Sequence, residues 1–196
     1  MKNVKLVTLA ATVLLAGGLL TACGADKKED TASSSSTTEQ SSSTKSSKAD
    51  AFTGATAGTD NAETLAKGLA ANGAWLNALT KDTTSSEDIT VDGTFKNEEG
   101  KEARELALYL SDPDTHKPTE TYTLTVPKLI VNSPNFGIAQ GTVKGDVEVN
   151  AEGFHMEGTG KVEGNVTFKT QELKDAYDKL PADQKGTITG SVEVAK

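Results

Sequence analysis

At 196 residues the chain has room for one ordinary domain. A formal charge of −8 with a single arginine, Arg104, argues against nucleic acid as a partner, because phosphates need a basic face. The single cysteine excludes disulfides and CxxC redox chemistry from the folded part.

The chain opens with "MKNVKLVTLAATVLLAGGLLTAC", in which Lys2 and Lys5 precede an uncharged run from Leu6 to Ala22. A basic stretch followed by a short apolar one is the layout of a signal peptide, and the run is short of the roughly 20 residues of a transmembrane helix. It ends in Leu20-Thr21-Ala22-Cys23, which resembles the lipobox of bacterial lipoproteins. The resemblance implies a diacylglyceryl group on the Cys23 thiol, cleavage before it, and a palmitate-type acyl anchor on the outer face of the cell membrane. More than one acyl chain gives stable anchoring where a single one is marginal. Removing residues 1–22 removes two lysines and no acid, leaving a formal charge of −10. Such a surface is repelled by anionic headgroups, so membrane contact is expected through the lipid.

Residues 23–60 are the lipidated Cys and a Ser/Thr-rich tether. From Gly24 to Asp60 there is one aromatic and almost nothing to bury, so the segment cannot offset the entropy of ordering. As a flexible coil it spans about 30 to 35 Å on average, enough to lift a domain into a wall layer.

The β-rich domain is expected over residues 61–196. "NAETLAKGLAANG" carries Asn61 as N-cap, Glu63 in the first turn, Leu65 and Leu69 on one face, and a stop at Asn72-Gly73, which predicts a short amphipathic helix. Trp75, the only tryptophan, is expected in the core beside Leu76 and Leu79. From Asp88 the period changes to two: "ITVDGTF", "ELALYL" and "YTLTV" alternate, "KLIV" follows, and "SDPDTHKPTE" between them is turn chemistry.

A phrase is then repeated. Gly141, Val143, Gly145, Val147 and Val149 align with Gly160, Val162, Gly164, Val166 and Phe168, and with Gly186, Ile188, Gly190, Val192 and Val194. Val91, Gly93 and Phe95 resemble a partial fourth copy. All marked positions share one parity, so on a strand they face one side; glycine there marks a bend, a bulge or close backbone approach. Each of the first two copies is preceded by an apolar-x-apolar segment, Phe136 to Ile138 and Phe154 to Met156. Before the third comes "TQELKDAYDKLPADQ", whose Leu173, Tyr177 and Leu180 form a helical stripe ended by Pro181. The spacing fits one coil of a solenoid with a side-insert. The expected fold is all-β: a short parallel β-helix with an N-terminal capping helix and one inserted helix. An antiparallel β-sandwich is the alternative. Asp146, Asn165 and Ser191, each after the second glycine, are expected to stack as a polar ladder.

The run "LTVPKLIVNSPNFGIAQGTVKGDVEVNAEGF…VEGNVTF" resembles a group of uncharacterised secreted proteins and lipoproteins of Gram-positive Firmicutes with a "SPN…GTxKGDVxVxAxGF…GNxxF" pattern. The resemblance runs from about Trp75 onward and is most specific over Ser133 to Phe154. It implies the fold and compartment and no activity. The Gly/Val rhythm alone is similar to that of polymer-forming bactofilins.

Candidate chemistry is sparse. His116 lies in a Pro-rich turn and His155 points opposite Phe154 and Met156; neither sits beside a nucleophile pattern. Asp112, Asp114 and His116 alternate, but the Gly and downstream Glu of an EF-hand loop are missing, so turn formation explains them and no metal is expected. No phosphate loop, dinucleotide fingerprint or zinc spacing occurs, so no cofactor is expected. The expected role is a non-catalytic lipoprotein displaying its domain to wall polymer, a glycan or a surface protein, with no nucleic acid partner. A polysaccharide-acting enzyme is the alternative. A third reading takes the signal peptide as the source of a peptide pheromone, from Leu6-Val7-Thr8-Leu9.

Overall fold

The computed structural model describes residues 57–196. Strand β1 (Ala57–Thr59) leads into helix α1 (Ala62–Leu69) and β2 (Leu76–Leu79). Short β3 (Thr83–Thr84) and β4 (Ile89–Val91) follow, then β5 (Arg104–Ala107). A hairpin of β6 (Tyr109–Ser111) and β7 (Pro118–Thr121) precedes the nine-residue β8 (Thr123–Val131). Next come β9 (Phe136–Ala139), β10 (Thr142–Val149), β11 (His155–Glu157), β12 (Lys161–Glu163) and β13 (Val166–Phe168). Helix α2 (Gln171–Asp178), a 3-10 turn at Ala182–Gln184, β14 (Thr187–Ile188) and β15 (Val192–Val194) complete the order.

The molecule is mostly strand, with two short helices, and its two main sheets are parallel and open. Sheet A runs β1-β2-β5-β9-β11; sheet B has β3 and β4 on β8, then β10, then β12 and β13, then β14 and β15. From β2 to β13, leaving the hairpin aside, the chain alternates between the two sheets, with β3–β4 and β12–β13 each forming a single visit to sheet B. The antiparallel pairs are β6 with β7 and the bridge Lys96 to Glu102, so the pairing is not that of an antiparallel sandwich.

The repeated phrase sets the register of sheet B. Val143 pairs with Val162, Val147 with Val166 and Val149 with Phe168; these pair in turn with Ile188, Val192 and Val194. The inward valines of β10 and β12–β13 are fully buried, and each contributes about 1.5 to 3 kcal/mol over an exposed position. At the second glycine the backbones come too close for a side chain. A Cβ on Gly164 would overlap the carbonyl of Gly145, and one on Gly190 that of Gly164. Opposite Gly145, β8 bulges: Val126 and Pro127 face the single glycine between Lys144 and Asp146.

Three expectations are corrected. The partial copy at Val91 is out of phase: Val91 pairs with Val131, and thereby aligns with Val149, because Gly93 (φ +90°) already lies in the turn after β4. "YTLTV" and "KLIV" are one strand, since Pro127, which lacks a ladder donor, sits in the bulge. Trp75 is only half-buried and precedes β2, whose inward residues are Asn77 and Leu79. A further strand lies ahead of Asn61. Ala57–Thr59 pairs in parallel with Asn77–Leu79, and the Thr80 N–H donates to the Thr59 carbonyl at 2.9 Å. An Ala-Gly-Thr strand held by backbone bonds has no apolar pattern to read.

Helix α1 forms as the sequence implies, with the Thr64 N–H donating to the Asn61 side chain at 3.0 Å and Leu65 and Leu69 buried. It covers the β4 edge of sheet B, and the Asp92 N–H donates to the Leu69 carbonyl at 2.9 Å. Helix α2 inserts Tyr177 against Phe154 and Phe168, with ring centroids 5.9 and 5.2 Å away. The Tyr177 hydroxyl donates to the Lys185 carbonyl at 2.7 Å, and burial pushes its pKa up to about 12.

Candidate functional site

Parallel in-register strands place equivalent side chains in columns, so surface chemistry here is a property of columns. Asp146, Asn165 and Ser191 meet in this way. The Asn165 backbone N–H and Nδ2 donate to Asp146 Oδ1 at 2.9 and 3.1 Å. The Ser191 backbone N–H and hydroxyl donate to Asn165 Oδ1 at 2.9 and 3.0 Å. Asn165 carries a separate donor (Nδ2) and acceptor (Oδ1) on one side chain, which lets it bond to both neighbours at once from the middle position.

A second ladder escaped the sequence reading. Asn132 Nδ2 donates to Asp92 Oδ1 at 2.8 Å, and Asn150 Nδ2 donates to Asn132 Oδ1 at 3.0 Å. Each follows the last inward valine of its strand, Val91, Val131 or Val149; that shared position was the available signal. The ladders link neighbouring strands of sheet B and the turns that follow them. Their groups bond to one another and tie adjacent strands together.

The outward face of sheet A carries titratable groups. Glu105, Gly137 and His155 are register partners on adjacent strands. The absence of a side chain at Gly137 makes room for the imidazole, since a Cβ there would lie 2.8 Å from His155 Nε2. His155 Nδ1–H donates to the Gly153 carbonyl at 2.9 Å, and Nε2 lies 3.2 Å from Glu157 Oε1. Burial, and then the charge of Glu157, raise the pKa of the Glu105 carboxyl above the ordinary range, while His155 works against them. Burial likewise raises the Tyr109 hydroxyl, with Glu105 and Glu157 adding to the effect. His155 also borders a groove of about 350 Å³ with Glu102, Asn135, Leu180 and Gln184. Its lining offers carboxylate, amide and imidazole groups for hydrogen bonding and apolar contacts from Ala103 and Leu180.

Beside the N-terminus of α1 lies a groove of about 490 Å³, whose acids are Asp60, Glu63, Asp82, Glu87 and Asp88. In the β6–β7 turn, Asp112 Oδ1 accepts from the Asp114 and Thr115 N–H groups at 3.1 and 2.8 Å. These bonds and the one from the Thr115 hydroxyl hold its pKa below the usual carboxylate value. His116 stands exposed at φ +55° in the same turn. Among the described residues no group of three or more His, Cys, Asp or Glu side chains is placed to hold a metal ion. Among them, too, no helix is long and apolar enough to cross a membrane. Cys23 and the Leu6 to Leu9 segment lie outside the described residues. No family model, curated protein or solved structure matches this chain.

Proposed function

We propose that this chain is a lipid-anchored protein of the cell envelope that displays a non-catalytic β-solenoid to a polymer, glycan or surface protein. Cys23 carries the anchor and the Ser/Thr-rich stretch is the tether. Support for the solenoid comes from the alternate crossing between two parallel sheets, with a layer added about every nineteen residues over β8 to β13. The outward columns then form a continuous strip.

The observation that carries the binding reading is the groove beside His155. Glu102, Asn135 and Gln184 line it together with Leu180, a mix suited to a hydroxyl-rich chain. The chemistry nearby favours binding over turnover, because both His155 nitrogens are engaged and no nucleophile adjoins them. The competing reading, an enzyme acting on polysaccharide, draws on Glu105, whose raised pKa beside Glu157 is the kind of asymmetry an acid–base pair uses.

The test is co-sedimentation of the detergent-solubilised full chain with purified cell walls and with isolated wall polysaccharide, with released sugar assayed in the supernatant. Saturable binding without sugar release, weakened by Gln184→Ala, is the expected result. Sugar release overturns the non-catalytic reading, and absence of binding overturns the glycan. Metabolic labelling with palmitate, lost on Cys23→Ala, tests the anchor.

A further inference from the structure

The last layer of sheet B differs from those it stacks on. Val162, Val166 and Phe168 are at most 1% exposed, whereas their register partners Ile188, Val192 and Val194 are only partly buried. Among the described residues nothing pairs with the outer edge of β14 or β15. An edge strand presents a row of free N–H and C=O groups, and proteins blunt such edges with proline, inward-pointing charge or a covering element. Residues 186–196 contain no proline, their two charged residues are Glu193 and Lys196, and among the described residues α2 packs on β15 without pairing with its edge. Sheet A is closed at the same end, where the Ala182–Gln184 turn packs on β11 and Gly186 lies against Met156. At the far end, α1 covers the β4 edge of sheet B. Among the described residues the longest unpaired edge of sheet B is therefore β14 and β15, the opposite β3 being two residues long.

We infer that β14 and β15 are a self-association edge, on which a second copy of this chain pairs antiparallel about a two-fold axis. The occupant is set by what the edge lacks. Covering by α1 leaves no β4 edge to receive a β15 strand and β3 beside it offers only two residues, so head-to-tail growth along sheet B is disfavoured, and the longest free edge of a second copy is the same edge. Such a contact is isologous and closes at the dimer. Charge agrees: the chain carries −8 overall and repels its copies, while residues 186–196 are balanced at one acid and one base. In the register that sets Val192 opposite Val192 of the second copy, inward positions stay inward and Val194 faces Gly190. Glu193 then faces Ser191, and no like charges meet. Pairing would add to the burial of Val192 and Val194, set Ile188 opposite Lys196, and extend sheet B across both copies.

The experiment is sedimentation equilibrium of the full chain, purified from membranes in a density-matched detergent, over a series of concentrations. A reversible monomer–dimer equilibrium is expected, and Val192→Lys should weaken it about tenfold or more. A circular dichroism spectrum matching wild type shows that the variant is folded. Should the variant fail to fold, Val192→Cys provides the second measurement: oxidation is expected to give a disulfide-linked dimer above the level seen with wild type. A monomer at every concentration, a dimer indifferent to Val192→Lys, or cross-linking at the wild-type level would each overturn the inference. Wall binding is not involved in any of these readings.

Discussion

The guanidinium carbon of Arg104 lies 3.9 Å from the ring centroid of Phe95. From that stacked position Nη2 donates to the carbonyls of Gly68 and Ala70 at 2.9 and 3.2 Å, satisfying acceptors at the end of α1. Burial lowers its pKa to about 10, Asp92 works in the opposite direction, and the group stays charged at neutral pH. Nε and Nη1 are buried without partners, so the side chain stands close to the limit of what its contacts repay. Arg104→Ala strips the donors from both carbonyls and opens a cavity, and should destabilise by about 3 kcal/mol or more in urea unfolding. Arg104→Lys keeps the charge but loses the fork and the flat stacking surface, and should fall between the two.

Gly164→Ala should destabilise by at least about 2 kcal/mol, because the added methyl meets the Gly145 backbone, which belongs to the adjacent strand and cannot rotate away. Gly100→Ala is the control. There φ is +76° and no atom lies within 4 Å, so only the backbone penalty of about 1 to 2 kcal/mol applies. Thermal denaturation of both variants distinguishes packing from conformation. A larger loss at Gly100 would refute the close-stacking account.

Asn165→Asp sets a carboxylate against Asp146 and removes the Nδ2 donor, while leaving an oxygen for Ser191. Like-charge proximity raises carboxylate pKa values in the fold, and a raised folded value favours the fold at low pH and is lost as pH rises. The variant should therefore be about 1 kcal/mol less stable than wild type at pH 7, with the gap narrowing on acidification through the carboxylate range. Unfolding midpoints measured from neutral to acid pH give the answer; a pH-independent gap would mean that the lost donor alone matters.

Glu105→Gln should raise stability at neutral pH. Burial and Glu157 favour the protonated carboxyl in the fold, so stability is lost as pH rises from the ordinary carboxylate value through the raised one. Below the ordinary carboxylate range Glu105 is protonated in both states, and variant and wild type should converge. The same pH series of unfolding midpoints checks this, and a glutamine variant less stable than wild type at pH 7 would sink it.

The legible parts of this fold were those where chemistry repeats at a fixed interval. Val143, Val162 and Ile188 share a motif position and are register neighbours, because a parallel stack converts sequence spacing directly into pairing. Asp146, Asn165 and Ser191 were found by the same logic. Where connections differ in length the interval disappears. Glu105, Gly137 and His155 form a column, yet a hairpin separates the first two, so no constant spacing links them. Arg104 gave no local sign of burial either; only the tertiary fold brings Phe95 and the end of α1 to it.

The spacing also bears on how the chain assembles. Val143 of β10 has neighbours at Leu124 and Val162, each nineteen residues away, whereas Ile89 must reach Leu129 across the hairpin. Closing a longer loop is entropically costlier and slower, so contacts among β8, β10, β12 and β13 should form before β4 docks. Assembly would then spread outward from the middle of the stack, and β4, though synthesised before β8, would find its place after it.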